Sequence, residues 1–116
     1  MPETTLIIDD DPCFNAILVR ALERRGHPAH GAGDPTSALG LAREIVPGRV
    51  VLDLNLNGSS GLALIPELLA INAACRIVVL TGYASIATAV DAIKLGAVQY
   101  LAKPVEIEAI LTAFED

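Results

Sequence analysis

Aromatic side chains are nearly missing from this sequence: it has two Phe, two Tyr and no Trp, 3% of its 116 residues. A chain that is nonetheless 53% hydrophobic must build its core from Leu, Ile, Val and Ala. Cysteine is as scarce. Cys13 and Cys75 are too few for a disulfide framework, and an intracellular chain would keep both reduced. Long hydrophobic runs are absent too; the longest, around "RIVVLTG", is strand-sized and far short of the ~20 residues of a membrane helix. The opening "MPETT" has neither the basic end nor the apolar centre of an export signal, so a cytoplasmic location without membrane partners is expected. Positive charge is in deficit, with 8 Lys and Arg against 14 Asp and Glu and a net charge of −6. That excludes a grip on phosphate backbones by this segment itself, so any DNA role requires another domain.

What is present is an alternation of short aliphatic runs with longer amphipathic ones. "TTLIID" reads as a strand. "DPCFNAILVRALERRG" opens on an Asp-Pro helix start and closes on Arg24, Arg25 and Gly26. Its apolar face is expected at Phe14, Ile17, Leu18, Ala21 and Leu22. "HPAHGA" is a weak, polar strand suited to an edge, and "DPTSALGLAREIVPG" repeats the Asp-Pro start. "RVVLDL" is a buried strand followed by turn chemistry in "NLNGSSG". "LALIPELLAIN" is a helix with Pro66 in its first turn, "CRIVVLTG" a strand, "ASIATAVDAIKLG" a helix, "AVQYLA" a strand and "PVEIEAILTAFED" a last helix. Five strands alternating with five helices and no linker make one α/β domain over residues 1–116. Its sheet should be parallel, with helices on both faces. Ligands of such a sheet bind beyond the carboxyl ends of its strands.

That edge is where the chemistry gathers. The first strand runs into "DDD", delivering Asp9 and Asp10; the third ends at Asp53, the fourth at Thr81, the fifth at Lys103 before Pro104. Two carboxylates ~5 Å apart repel by roughly 3 kcal/mol at an effective dielectric of 20. Three together therefore call for a proton or a cation, and a hard divalent ion such as Mg²⁺ suits a few carboxylates plus water and a phosphate. Lys103 adds a point charge for a phosphoryl oxygen, and Thr81 a hydroxyl. Asp53 stands alone while Asp9 and Asp10 are free to hold metal, which makes Asp53 the expected acceptor of an in-line phosphoryl transfer. Asp11, ahead of Pro12, reads as the first helix's cap.

Those same segments, "LIIDDD", "VVLDLNL…SSG", "VVLTGYAS" and "YLAKP", resemble the receiver domains of two-component response regulators. "RIVVLTGYASIATAVDAIKLGAVQYLAKP" is similar to the RegA/PrrA/ActR type of redox-responding regulators. The resemblance implies a (βα)5 flavodoxin-like (CheY-like) three-layer sandwich with strand order 2-1-3-4-5. It implies phosphorylation of Asp53 from a sensor histidine kinase. It implies Mg²⁺, with Mn²⁺ as a substitute, held by Asp10, by Asp9 through water, by Asp53 and by the backbone carbonyl of Asn55. Thr81 and Tyr100 would form a switch pair, Lys103 would contact the phosphate, and the Lys103–Pro104 peptide would be cis. The face of the fourth helix, fifth strand and fifth helix would carry the signal to an output or to a second copy of the chain. Regulators of this type continue into a DNA-binding helix-turn-helix, which is not within these residues. A stand-alone receiver acting through protein contacts is the alternative. The family's frequent Pro four residues after the acceptor is replaced by Asn57, which predicts a looser loop, and Asn55 and Tyr83 occupy positions that tune phosphoryl lifetime.

Rival readings are weaker. A magnesium-dependent aspartyl phosphatase would need a cap or a substrate-enclosing insertion, so a signalling module rather than an enzyme is expected. A flavin binder would not carry an acidic first strand-to-helix turn. His27 and His30, three apart in a strand, point to opposite faces and suit surface positions. Cys13 and Cys75 suit small residues in the first turn of a helix and at the mouth of a strand.

Overall fold

In the computed structural model of the chain, the described residues are 3–56, 58–82 and 86–115. Ten elements alternate: β1 (Thr5–Ile8), α1 (Pro12–Arg24), β2 (Ala29–Ala32), α2 (Pro35–Ile45), β3 (Arg49–Asp53), α3 (Leu64–Ile71), β4 (Arg76–Thr81), α4 (Ile86–Leu95), β5 (Gln99–Ala102) and α5 (Ile107–Glu115). The five strands form one parallel sheet ordered β2-β1-β3-β4-β5, the flavodoxin-like order that the resemblance implies. The polar β2 lies at an edge, where few side chains need burial. A two-rung antiparallel ladder, Asn55–Leu56 against Ser59–Ser60, and a 3₁₀ turn at Gly61–Ala63 lead into α3. Pro66 falls in the first turn of α3, where its missing N–H has no helical partner to lose.

Period-two alternation divides the core. Leu6, Ile8, Val50, Leu52, Ile77 and Val79 face one way. They pack against Ala38 and Ala42 of α2, Leu64, Ile65 and Leu68 of α3, and Ala92 of α4. Ile7, Val51, Val78 and Leu80 face the other way, against Leu18 and Leu22 of α1 and Ile110, Ala113 and Phe114 of α5. Each fully buried Leu or Ile contributes about 1.5–3 kcal/mol, so these two layers carry most of the stability.

The helix starts are built as their Asp-Pro sequences require. Asp11 Oδ1 accepts from the amides of Cys13 and Phe14, and Asp34 caps α2 through the amide of Ser37. Gly26, at φ 82°, ends α1 in a backbone region closed to most side chains. Two expectations need correction. The inner face of α1 does not include Ile17, which is 63% exposed; the buried residue is Asn15. Its amide finds carbonyl acceptors at the ends of β1 and β2, which the apolar pattern cannot reveal. The last helix begins at Ile107, not at Pro104: Lys103 N still donates to Thr81 O, so the chain leaves the sheet late and uses residues 104–106 to turn.

Candidate functional site

Register fixes the site. Ile8 pairs with Ala32 and Leu52, Asp53 with Leu80, and Thr81 with Ala102, so the strands end along one edge. Asp9 and Asp10 follow β1, Asp53 closes β3, Thr81 closes β4 and Lys103 follows β5. Carboxylate oxygens of Asp9, Asp10 and Asp53 lie within 4.8 Å of one another. Asp9 and Asp53 are buried, Asp10 exposed. Lys103 Nζ donates to Asp9 Oδ2 at 2.9 Å and to Asp53 Oδ2 at 3.2 Å. The other Asp53 oxygen, Oδ1, accepts from Asn55 N at 3.0 Å, and Asp9 Oδ1 accepts from Asp11 N at 2.9 Å.

The charges are held under tension. Burial pushes the Asp53 carboxyl above its ordinary value, aided by the charge of Asp9, and outweighs the Asn55 amide and Lys103, which pull it down. Burial alone would lower the Lys103 ammonium; its hydrogen bond to Asp9 and the charges of Asp53 and Asp9 prevail and hold it above its ordinary value. Ligands of one divalent ion, at about 2.1–2.4 Å from it, stand no more than roughly 4–5 Å apart. The three carboxylates therefore fit such an ion on spacing and on donor type.

These groups open onto a cavity of about 440 Å³ lined by Asp10, Asp53, Asn55, Thr81, Thr88 and Lys103. Thr81 is buried, whereas Tyr100 on β5 is 41% exposed and does not line the cavity. The Lys103–Pro104 peptide is cis. Asp11 is a cap and stands outside the carboxylate cluster. His30 is exposed and His27 half-buried. Cys13 is exposed; burial, with the charge of Glu3, pushes the Cys75 thiol up to about 12. Asn57 and Tyr83 lie outside the described residues.

Three residues acquire places that the sequence reading did not give them. The Phe14 ring lies under Lys103 Nζ, 4.6 Å from ring centre to nitrogen, a cation–π distance. Gly61 packs on the end of β3: a Cβ there would stand 2.5 Å from the Asp53 carbonyl oxygen. Asn15 is the buried amide of α1. A polar residue interrupting a helix's apolar stripe was the available signal for Asn15.

Comparison with known proteins agrees with this geometry. The family model described as response regulator receiver domain matches residues 5–115. The acid tolerance regulatory protein ActR of Rhizobium meliloti (strain 1021) is 42% identical over 111 residues, 96% of this chain and 57% of that protein. The photosynthetic apparatus regulatory protein RegA of Rhodobacter capsulatus is 40% identical over 108 residues, 93% of this chain and 59% of that protein. The chain thus spans less than two thirds of the length of these relatives. A response regulator protein from Burkholderia pseudomallei, solved with a phosphorylated aspartic acid, a calcium ion and citrate, superposes with a TM-score of 0.93 at 47% identity, over 97% of this chain and 66% of that one. ActR and RegA are of the regulator type that the segment 76–104 resembles. The match over residues 5–115 makes this chain a member of the response regulator receiver domain family.

Proposed function

We propose that this receiver domain accepts a phosphoryl group on Asp53 from the phosphohistidine of a sensor kinase, with Mg²⁺ in the acidic cluster, and relays the event to a transcriptional output. The observation that carries the reading is the convergence of three carboxylates, two of them bonded to Lys103, at the carboxyl edge of a parallel sheet. Asp9, Asp10 and Asp53, with the carbonyl of Asn55, would hold the ion. When bound, it supplies positive charge that lets the carboxylates coexist and offsets charge developing on the phosphoryl oxygens.

Asp53 Oδ2, on the side of Lys103, is the attacking oxygen; Oδ1 is oriented by the Asn55 amide. A new O–P bond forms as the donor's P–N bond breaks and the imidazole leaves. Lys103 then follows the phosphoryl oxygens, and the Thr81 hydroxyl donates to one of them. The movement of Thr81 frees space into which Tyr100 turns from its exposed position. Val90, Ile93, Val98 and Tyr100 are exposed on and beside α4 and β5, a face suited to a partner or to a second copy. Turnover is confined to the domain's own phosphoryl group: this is a signalling module, not an enzyme acting on external phosphoesters.

The transcriptional output rests on the names of the relatives, which are regulatory proteins; the chain spans 57–59% of their length. A cytoplasmic location belongs to the same reading, and no helix among the described residues is long and apolar enough to cross a membrane. The test is acetyl phosphate with Mg²⁺, read by intact mass: a one-phosphate adduct is expected in the wild type and not in Asp53→Asn. Equal labelling of both would defeat the assignment, and steady release of phosphate from a small phosphoester would point to an enzyme instead.

A further inference from the structure

The buried amide of Asn15 sits on the inner face of α1, among Leu18 and Leu22, where an unsatisfied polar group is disfavoured. Nδ2 donates to the carbonyl oxygens of Asp9 at 3.0 Å, Ala32 at 3.0 Å and Ile7 at 3.3 Å. Three carbonyl acceptors require the nitrogen on this side, so the orientation of the amide is fixed. The backbone ladder between β1 and β2 reaches its end where Asp9 N donates to Ala32 O at 3.1 Å. Asn15 adds a side-chain rung one step further on, to Asp9 O.

That step matters because the Asp9 carbonyl belongs to the planar peptide joining Asp9 to Asp10. Fixing its oxygen fixes the plane, and the plane sets the direction in which Asp10 leaves. Asp9 has its own anchors, Asp11 N on one oxygen and Lys103 on the other. The room for the amide comes from β2: a Cβ on Gly31 would stand 2.0 Å from Asn15 Oδ1. Neither Asn15 nor Gly31 lines the acidic cavity.

We propose that Asn15 is a positioning residue for the metal-binding turn, its amide orienting the Asp9–Asp10 peptide so that both carboxylates converge with Asp53 on one ion. This rests on the metal-binding reading above. Outer-shell partners of metal ligands typically control affinity by 10–100-fold. Asn15→Leu keeps the side chain's size and removes the donors. Gly31→Ala retains the amide but displaces it from the other side.

The experiment is calorimetric titration of the whole chain with MgCl₂, alongside urea denaturation of each variant. Asn15→Leu and Gly31→Ala are each expected to weaken Mg²⁺ binding by about tenfold. Leu22→Val, which loosens the same helix but keeps the amide, is expected to bind as the wild type does. Wild-type affinity in a folded Gly31→Ala or Asn15→Leu protein would overturn the proposal while leaving the metal site intact, and Gly31→Ala answers alone where Asn15→Leu does not fold. Equal weakening in Leu22→Val would overturn it as well, by reducing the effect to general stability. Absence of saturable Mg²⁺ binding in the wild type would remove the metal reading and this inference together.

Discussion

Lys103 Nζ lies 2.9 Å from Asp9 Oδ2, closer than its 3.2 Å to Asp53 Oδ2, and so occupies an oxygen of the acidic cluster. Lysine and a bound metal would therefore compete for the same negative charge. Replacing Lys103 by Met removes a positive charge from the cluster that would hold the ion; a unit and a divalent charge about 5 Å apart repel by roughly 1–2 kcal/mol in a largely aqueous setting. Mg²⁺ should bind Lys103→Met about tenfold more tightly, while labelling by acetyl phosphate slows sharply. Calorimetry and intact-mass time courses measure the two effects; weaker Mg²⁺ binding would show that the lysine supports the ion rather than competing with it.

Asp53 links the site to stability. Its carboxyl sits above the ordinary 3.8 chiefly through burial, so in the absence of metal the native state keeps a proton that the unfolded chain has released. Over the interval from 3.8 up to the raised value, stability falls as pH rises. Asp53→Asn cannot ionise. In EDTA it should lack this decline and be more stable than the wild type at neutral pH. Mg²⁺ at about 100 times its Kd should stabilise the wild type by about 2.7 kcal/mol and the variant by less. Urea midpoints across the pH series decide this; identical profiles would contradict it.

The parallel sheet and the cluster were legible because both depend on short-range signals, whereas the strand order followed from the family resemblance. Apolar runs of strand length alternating with Asp-Pro helix starts dictate a parallel sheet, and a parallel sheet brings Asp9, Asp53, Thr81 and Lys103 to one edge whatever their sequence separation. What stayed hidden depends on partners distant in the chain. Asn15 replaces Ile17 on the inner face of α1 because β1 and β2 present carbonyls there. Phe14 reads as core until Lys103, from the far end of the sequence, is found over its ring.

Gly61 illustrates the same point through space rather than charge. A methyl group here would stand 2.5 Å from the Asp53 carbonyl oxygen and 3.2 Å from Leu54 Cα, both backbone atoms that yield little. Gly61→Ala should lower stability by about 1–3 kcal/mol, the range for overpacking. Because the displaced strand carries Asp53, the proposed acceptor, its labelling should slow as well. Urea denaturation and intact mass measure each; an unchanged midpoint would show that the loop gives way freely.

Val46 offers a stabilising change remote from the site. It ends α2 at φ 44°, a left-handed conformation that is unfavourable for a β-branched residue, and it is 51% exposed. Its amide still donates to Ala42 O at 2.8 Å, so the backbone is held in place. Glycine relieves about 1–2 kcal/mol of steric cost and returns about 0.5–1 in chain entropy. Val46→Gly should therefore be more stable by about 0.5–1 kcal/mol with Mg²⁺ affinity unaltered. A lower urea midpoint would mean that the strain had been overstated.

Thr81 and Tyr100 test the proposed switch. Thr81 is buried at the end of β4 and Tyr100 exposed on the neighbouring β5, with Thr81 paired to Ala102, two residues beyond the tyrosine. Moving the ring from 1:99 to 99:1 inward requires about 5.5 kcal/mol of preference. If that preference is transmitted by the Thr81 hydroxyl, Thr81→Ala should still take up beryllofluoride with Mg²⁺ but leave Tyr100 outside. The chain has two tyrosines and no tryptophan, so in a Tyr83→Phe background the emission of Tyr100 is the sole reporter. Quenching by iodide should fall on beryllofluoride binding in that background and remain unchanged when Thr81→Ala is added. Equal protection with and without the hydroxyl would separate the two residues and assign the movement to the main chain of β4 and β5.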